Sequence, residues 1–150
     1  MFNDLAMKIH KLSTQGYCCT QIMLKLALDE ENKENQDLIK SANGFCKGLG
    51  GRQGICGVLS GGIMILSLYA GKGSDAEYSH NNYGSMVNEF IDWFEDEFFS
   101  LECIDIIGVN NFEENNNSYM LKCGNILVKS YEKVVDILNE NDYEFGYRED

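Results

Sequence analysis

The chain has 150 residues, 44% of them hydrophobic and 11% aromatic, enough to close an ordinary apolar core without disulfide staples. Its formal net charge is −12, and its 12 Lys and Arg are scattered, which excludes the clustered cationic surface that nucleic-acid binding needs. The acidity serves solubility and would suit steering of a basic redox partner, which the sequence does not name.

There is no proline, so glycine, asparagine and charge clusters must end the helices. Residues 4–14 predict a short first helix closed by Gly16, where a left-handed residue is expected. A second helix is predicted over 20–28, from Ile22, Met23, Leu24, Leu26 and Leu28, followed by a polar break at 29–34. Residues 37–45 resume a partial helical stripe with Leu38, Ile39, Ala42 and Phe45. A glycine-rich stretch at 44–54 leads into the next helix near Cys56. Residues 58–69 are apolar nearly all round, as in a central buried helix, and Gly57 and Gly61 leave a small face for close approach of another backbone. A turn follows at 72–75. A longer helix is predicted over 77–99, with Phe90, Ile91, Trp93, Phe94 and Phe98 inward and Glu89, Asp92, Glu95 and Asp96 outward. An exposed face on that aromatic cluster would mark a homodimer seam. Residues 103–107 form a short turn or helix ended by Gly108, and the asparagine-rich 110–118 is a loop. The last helix spans 119–139, with Leu127, Tyr131, Val134 and Leu138 on one face, and the acidic, aromatic tail 141–150 is expected to fray.

No segment alternates at period two. The expected fold is all-α: residues 1–150 as one domain, a compact bundle or orthogonal array of about five to seven helices. The most apolar run, 58–70, falls short of the roughly 20 residues of a membrane span, and Gly61, Gly62 and Ser67 interrupt it. Residues 1–15 carry Asp4, Lys8, His10 and Lys11 and do not read as a signal peptide. The expected compartment is the cytoplasm, where thiols stay reduced and cysteines more often serve metals or catalysis.

The cysteines stand at 18, 19, 46, 56, 103 and 123. Their spacing contains no C-x-x-C, so neither a thioredoxin-like dithiol nor a zinc ribbon is readable. The absence of C-x-x-C-H leaves covalent c-type haem without an attachment point. His10 and His80 lie singly on polar stretches and read as surface residues. Cys19, Cys56, Cys103 and Cys123 each fall near a predicted helix start, where free N–H groups and the macrodipole favour negative charge. Such placement is expected to lower a thiol's pKa and to offer donors to cluster sulfur. Spacing alone is equally compatible with buried cysteines acting as small hydrophobes.

The stretch 56–61, Cys-Gly-Val-Leu-Ser-Gly, preceded by Gly48-Leu-Gly-Gly-Arg52, resembles the centre of the redox-active family named C_GCAxxG_C_C, for its pattern Cys…Cys-Gly-Ala-x-x-Gly…Cys…Cys. The flanks agree. Gly16-Tyr-Cys-Cys19 matches the family's first cysteine at Cys19, Cys103 with the following Ile-Ile-Gly108 matches the third, and Lys122-Cys123 matches the fourth. The resemblance spans nearly the whole chain. It implies an all-helical, redox-active protein with an iron–sulfur cluster on Cys19, Cys56, Cys103 and Cys123, and brings no enzymatic substrate with it. Arg52, Gly57 and Gly61 are the candidate cofactor-side residues, Arg52 as a donor to cluster sulfur or to an anionic ligand. Val58 replaces the motif alanine, Cys46 and Lys47 stand where the family has glycines, and Cys18 adds a vicinal thiol. Two other readings stay open: metal-free thiol–disulfide chemistry on the same cysteines, and a non-catalytic interaction domain with structural or zinc-binding thiols.

Overall fold

The computed structural model describes residues 2–52, 54–107 and 116–148, so the Gly108 stop and the loop over 110–115 lie outside the described residues. The elements are α1 (Phe2–Thr14), α2 (Cys19–Glu30), α3 (Gln36–Ser41), a single turn α4 (Cys46–Leu49), α5 (Gly57–Ala70), α6 (Tyr83–Phe98), α7 (Cys103–Ile107) and α8 (Asn116–Glu140). The architecture is all-α, and the glycine-rich stretch leads into a buried helix, as the sequence predicts. None of the helices is long and apolar enough to cross a membrane among the described residues.

Helix α5 is the centre of the core, packed by α2, α6 and α8. Its apolar residues Val58, Leu59, Ile65 and Leu66 are fully buried, each worth about 1.5–3 kcal/mol relative to exposure. Its glycines set the packing distances. A Cβ on Gly61 would lie 2.8 Å from Met23 Cβ and 3.2 Å from the Thr20 carbonyl oxygen, and one on Gly62 would run into the Phe90 ring. The small face read from Gly57 and Gly61 is therefore where α2 lies against α5. Across the other side of α5, Phe90 and Phe94 are fully buried, and Trp93 and Phe98 pack half-buried beside them. These rings belong to the core, Phe94 and Phe98 meeting edge to face at 4.8 Å.

Three boundaries differ from expectation. The stripe read over 37–45 is α-helical only to Ser41, and Asn43–Phe45 is a separate 3-10 turn. Helix α6 starts at Tyr83 rather than at residue 77, because the polar segment before it turns back on α5. The His80 N–H donates to the Ala70 carbonyl at 2.8 Å, and the Lys72 ammonium ties the carbonyls of Ser74 and Glu77. Helix α8 starts at Asn116, so Cys123 lies two turns inside it rather than in its first turn.

Residues 141–148 lie along the core. The Gly146 N–H donates to the Tyr69 hydroxyl at 3.0 Å, and Phe145 stacks on Tyr69. The Arg148 guanidinium forks onto the Glu31 carboxylate, Nη2 to Oε1 at 2.8 Å and Nε to Oε2, the bidentate form of the strongest side-chain pairs. His80 stacks on Tyr143 and hydrogen-bonds its hydroxyl, which accounts for that histidine without a ligand.

These contacts predict opposite outcomes for one substitution at two helical glycines. Gly61→Ala gains up to about 1 kcal/mol of helix propensity but forces α2 and α5 apart at an overpacking cost of about 1–3 kcal/mol, so the net in urea unfolding runs from about zero to a loss of about 2 kcal/mol. Gly124→Ala in α8, with nothing within 4 Å of the added Cβ, gains about 0.8–1 kcal/mol. A Gly61→Ala that stabilised as much as Gly124→Ala would mean that the two helices do not meet there.

Candidate functional site

Three chain segments meet where α2, α5 and α7 begin. Cys19 is the first residue of α2, Cys56 caps α5, and Cys103 is the first residue of α7. Short backbone pairings hold these starts together. The Cys56 N–H donates to the Leu101 carbonyl at 2.8 Å and the Cys103 N–H to the Gly54 carbonyl at 2.7 Å, an isolated antiparallel bridge at Ile55 and Glu102. The Thr20 hydroxyl donates to the Gly57 carbonyl at 2.8 Å, tying α2 to α5. Gly57 gives the approach its room: a Cβ there would lie 2.6 Å from Thr20 Oγ1 and 2.7 Å from Cys19 Sγ. An alanine would fill the space beside that sulfur.

The glycine loop closes over the same point. From Lys47 to Gly51 five successive residues have positive φ, Lys47 at 55° and Leu49 at 64° among the glycines. Left-handed backbone costs a residue with a Cβ roughly 1–2 kcal/mol, and such strain persists where surrounding contacts over-determine it. Here the Gly50 N–H donates to the Cys46 carbonyl at 3.0 Å and the Gly54 N–H to the Gly48 carbonyl at 3.0 Å. The loop thus keeps a left-handed path even at Lys47 and Leu49, and it points the Lys47 N–H at the Cys19 sulfur.

Cys19, Cys56, Cys103 and Cys123 are all buried and lie outside any disulfide. Burial raises the pKa of three of them. The Cys56 thiol is pushed from an ordinary 9.0 to about 12, by desolvation first and then by the charges of Cys19 and Cys103, against the N–H groups of Val58 and Leu59. Cys103 rises to about 11, from desolvation and then the Cys19 charge. Cys19 is raised by desolvation, opposed by the N–H groups of Lys47, Thr20 and Cys19 and by the Lys47 charge. Helix starts were expected to lower these values. The donors are present and act in that direction, but removal from water outweighs them.

Cys19, Cys56 and Cys103 are therefore near enough to repel one another as thiolates. Among the described residues, however, no three Cys, His, Asp or Glu side chains are gathered as closely as a single metal ion's ligands. Cys123 is buried on α8, which packs against α5 and α7. Arg52 is exposed on the turn after Gly51. Gly61 packs Met23 rather than facing the thiols. Sequence reasoning set aside Cys18 and Cys46, yet these two form a disulfide with Cα atoms 5.9 Å apart. Their separation of 28 residues carries no local signal of pairing.

The raised thiols fix a pH dependence for the metal-free protein. Unfolded thiols ionise near 9.0 while the folded ones hold their protons to about 11 and 12. Stability from this source is complete below pH 9 and is lost as pH climbs through the folded values. Urea unfolding at pH 8, 9, 10 and 11 is expected to show a steepening fall, and Cys56→Ser to flatten it. A wild-type midpoint that held level to pH 11 would place these thiols in water.

The chain matches, over residues 17–137, the family described as "Putative redox-active protein (C_GCAxxG_C_C)". No curated protein and no solved structure matches it. The match spans α2 to most of α8 and so contains all six cysteines and the three helix starts that meet at Gly57. With this match over most of its length, the chain belongs to the C_GCAxxG_C_C redox-active family.

Proposed function

We propose that the protein transfers electrons through an iron–sulfur cluster held by Cys19, Cys56, Cys103 and Cys123. The observation that carries this reading is the gathering of three buried thiols at helix starts joined at Gly57 and at the bridge of residues 55 and 102, where backbone donors converge. As thiols they stay neutral near pH 7 and make poor nucleophiles. A cationic centre reverses that balance, because a coordinated thiol gives up its proton. The donor set is soft, as iron–sulfur ligation requires. The backbone N–H groups of Lys47, Thr20, Val58 and Leu59 would face ligated sulfur and stabilise its negative charge. Bound there, the cluster would supply one-electron transfer, at a potential set by these donors and by burial.

Metal-free exchange on these cysteines would start from thiols, which burial keeps protonated at Cys56 and Cys103.

Anaerobic purification is expected to yield a brown protein with iron and acid-labile sulfide in comparable amounts and with visible absorption that bleaches on reduction. Serine at any one of Cys19, Cys56, Cys103 or Cys123 is expected to abolish that absorption. A colourless chain that takes up no iron on reconstitution, or one that binds zinc tightly with no redox response, would refute the reading.

A further inference from the structure

Two consecutive residues at the start of α2 hold two consecutive residues of the glycine loop. Cys18 is bonded to Cys46, and one step along the Lys47 N–H meets the Cys19 sulfur. The Cα separation of 5.9 Å lies within the ordinary range for a disulfide. Neither Cys18 nor Cys46 is among the four cysteines proposed to hold the cluster.

Beside the bond, between α2 and α3, lies a cleft of about 470 Å³ whose walls include Tyr17, Gln21 and Asn43, a volume suited to a small molecule. Two cleft residues touch Cys18 directly. Gln21 accepts the Cys18 N–H on Oε1 at 3.3 Å, and Asn43 Oδ1 stands 4.0 Å from Cys18 Sγ. The cleft carries both signs of charge, with Lys25 and Lys40 beside Asp29 and Glu34. Cys18 is half-buried whereas Cys46 is 7% exposed, so Cys18 presents the sulfur that a thiolate from outside can reach.

We propose that Cys18–Cys46 is a thiol–disulfide exchange site whose substrate is a small zwitterionic thiol, a short cysteine peptide, seated in the α2–α3 cleft. The inference goes beyond the iron–sulfur reading and does not depend on it. The substrate thiolate attacks Cys18 Sγ, the bond to Cys46 breaks, and Cys46 leaves as a thiolate that takes up the proton the substrate released. A second substrate thiolate attacks the substrate sulfur of the mixed disulfide and frees Cys18, which is protonated in turn. Two substrate thiols are oxidised to one disulfide, and the protein's disulfide is reduced by two electrons. Opening it loosens the loop that presents the Lys47 N–H to Cys19.

The test treats the full chain as purified with glutathione and, in parallel, with 2-mercaptoethanol at matched thiolate concentration. Opening is followed by alkylation and peptide mass spectrometry, with iron measured on the same samples. Glutathione is expected to open Cys18–Cys46 about tenfold faster, as charge complementarity raises its local concentration, and to leave its transient adduct on Cys18. The double variant Lys25→Glu, Lys40→Glu, checked for folding by circular dichroism, is expected to bring the two rates within about twofold. Equal rates in the wild type, an adduct on Cys46, or an undiminished glutathione advantage in the folded double variant overturns the substrate and its cleft. A chain purified in air whose Cys18 and Cys46 alkylate without prior reduction overturns the site itself. Exchange is expected equally in iron-free and iron-loaded samples, so a failure to exchange in both overturns this site and leaves the cluster untouched.

Discussion

Helices α2 and α5 approach backbone to backbone where Gly57 and Gly61 carry no Cβ, and the Thr20 hydroxyl bonds the Gly57 carbonyl across the gap. That contact fixes the first residues of the two helices side by side, and with them Cys19 and Cys56. The bridge between residues 55 and 102 then sets Cys103 from the same base. Any side chain at Gly57 would collide with the Cys19 sulfur itself. Packing and site are in this sense one constraint: the distance that lets the core close is the distance that gathers the thiols.

Within that geometry two electrostatic effects oppose each other. Helix starts and the left-handed loop direct N–H groups at sulfur, which favours thiolate, while burial favours the thiol. For Cys56 the balance lies well on the side of burial. The result is a pocket in which negative sulfur has hydrogen-bond donors in place but is not formed without a compensating positive charge. A surface thiol at a helix start would behave in the opposite way, ionised and reactive in water.

The parts of this arrangement that were legible in the sequence are those encoded locally. The unbroken apolar run of α5, the Gly57 and Gly61 face, the Gly16 stop and the α6 aromatic stripe can each be read within a few turns of helix. The beginning of α6 could not, since residues 77–82 are held out of the helix by a bond from His80 to Ala70, a tertiary contact. The start of α8 fell in an asparagine-rich segment whose composition favours turns, so Cys123 was placed too near a helix end. The sign of the thiol pKa shift was misjudged because the donors follow from position along the chain, whereas desolvation depends on the elements that pack over it. The pairing of Cys18 with Cys46 was invisible for the same reason: it requires the path of the left-handed loop. The four motif cysteines themselves came from the family pattern and not from spacing.

The bridge that joins Gly54 and Cys56 to Leu101 and Cys103 closes a long loop containing all of α5 and α6. Closing a loop of that length costs entropy that no local contact along it returns. The meeting of Cys103 with Cys56 therefore draws on the packing of α5 and α6 within the loop, so a substitution that loosens that packing would also loosen the site.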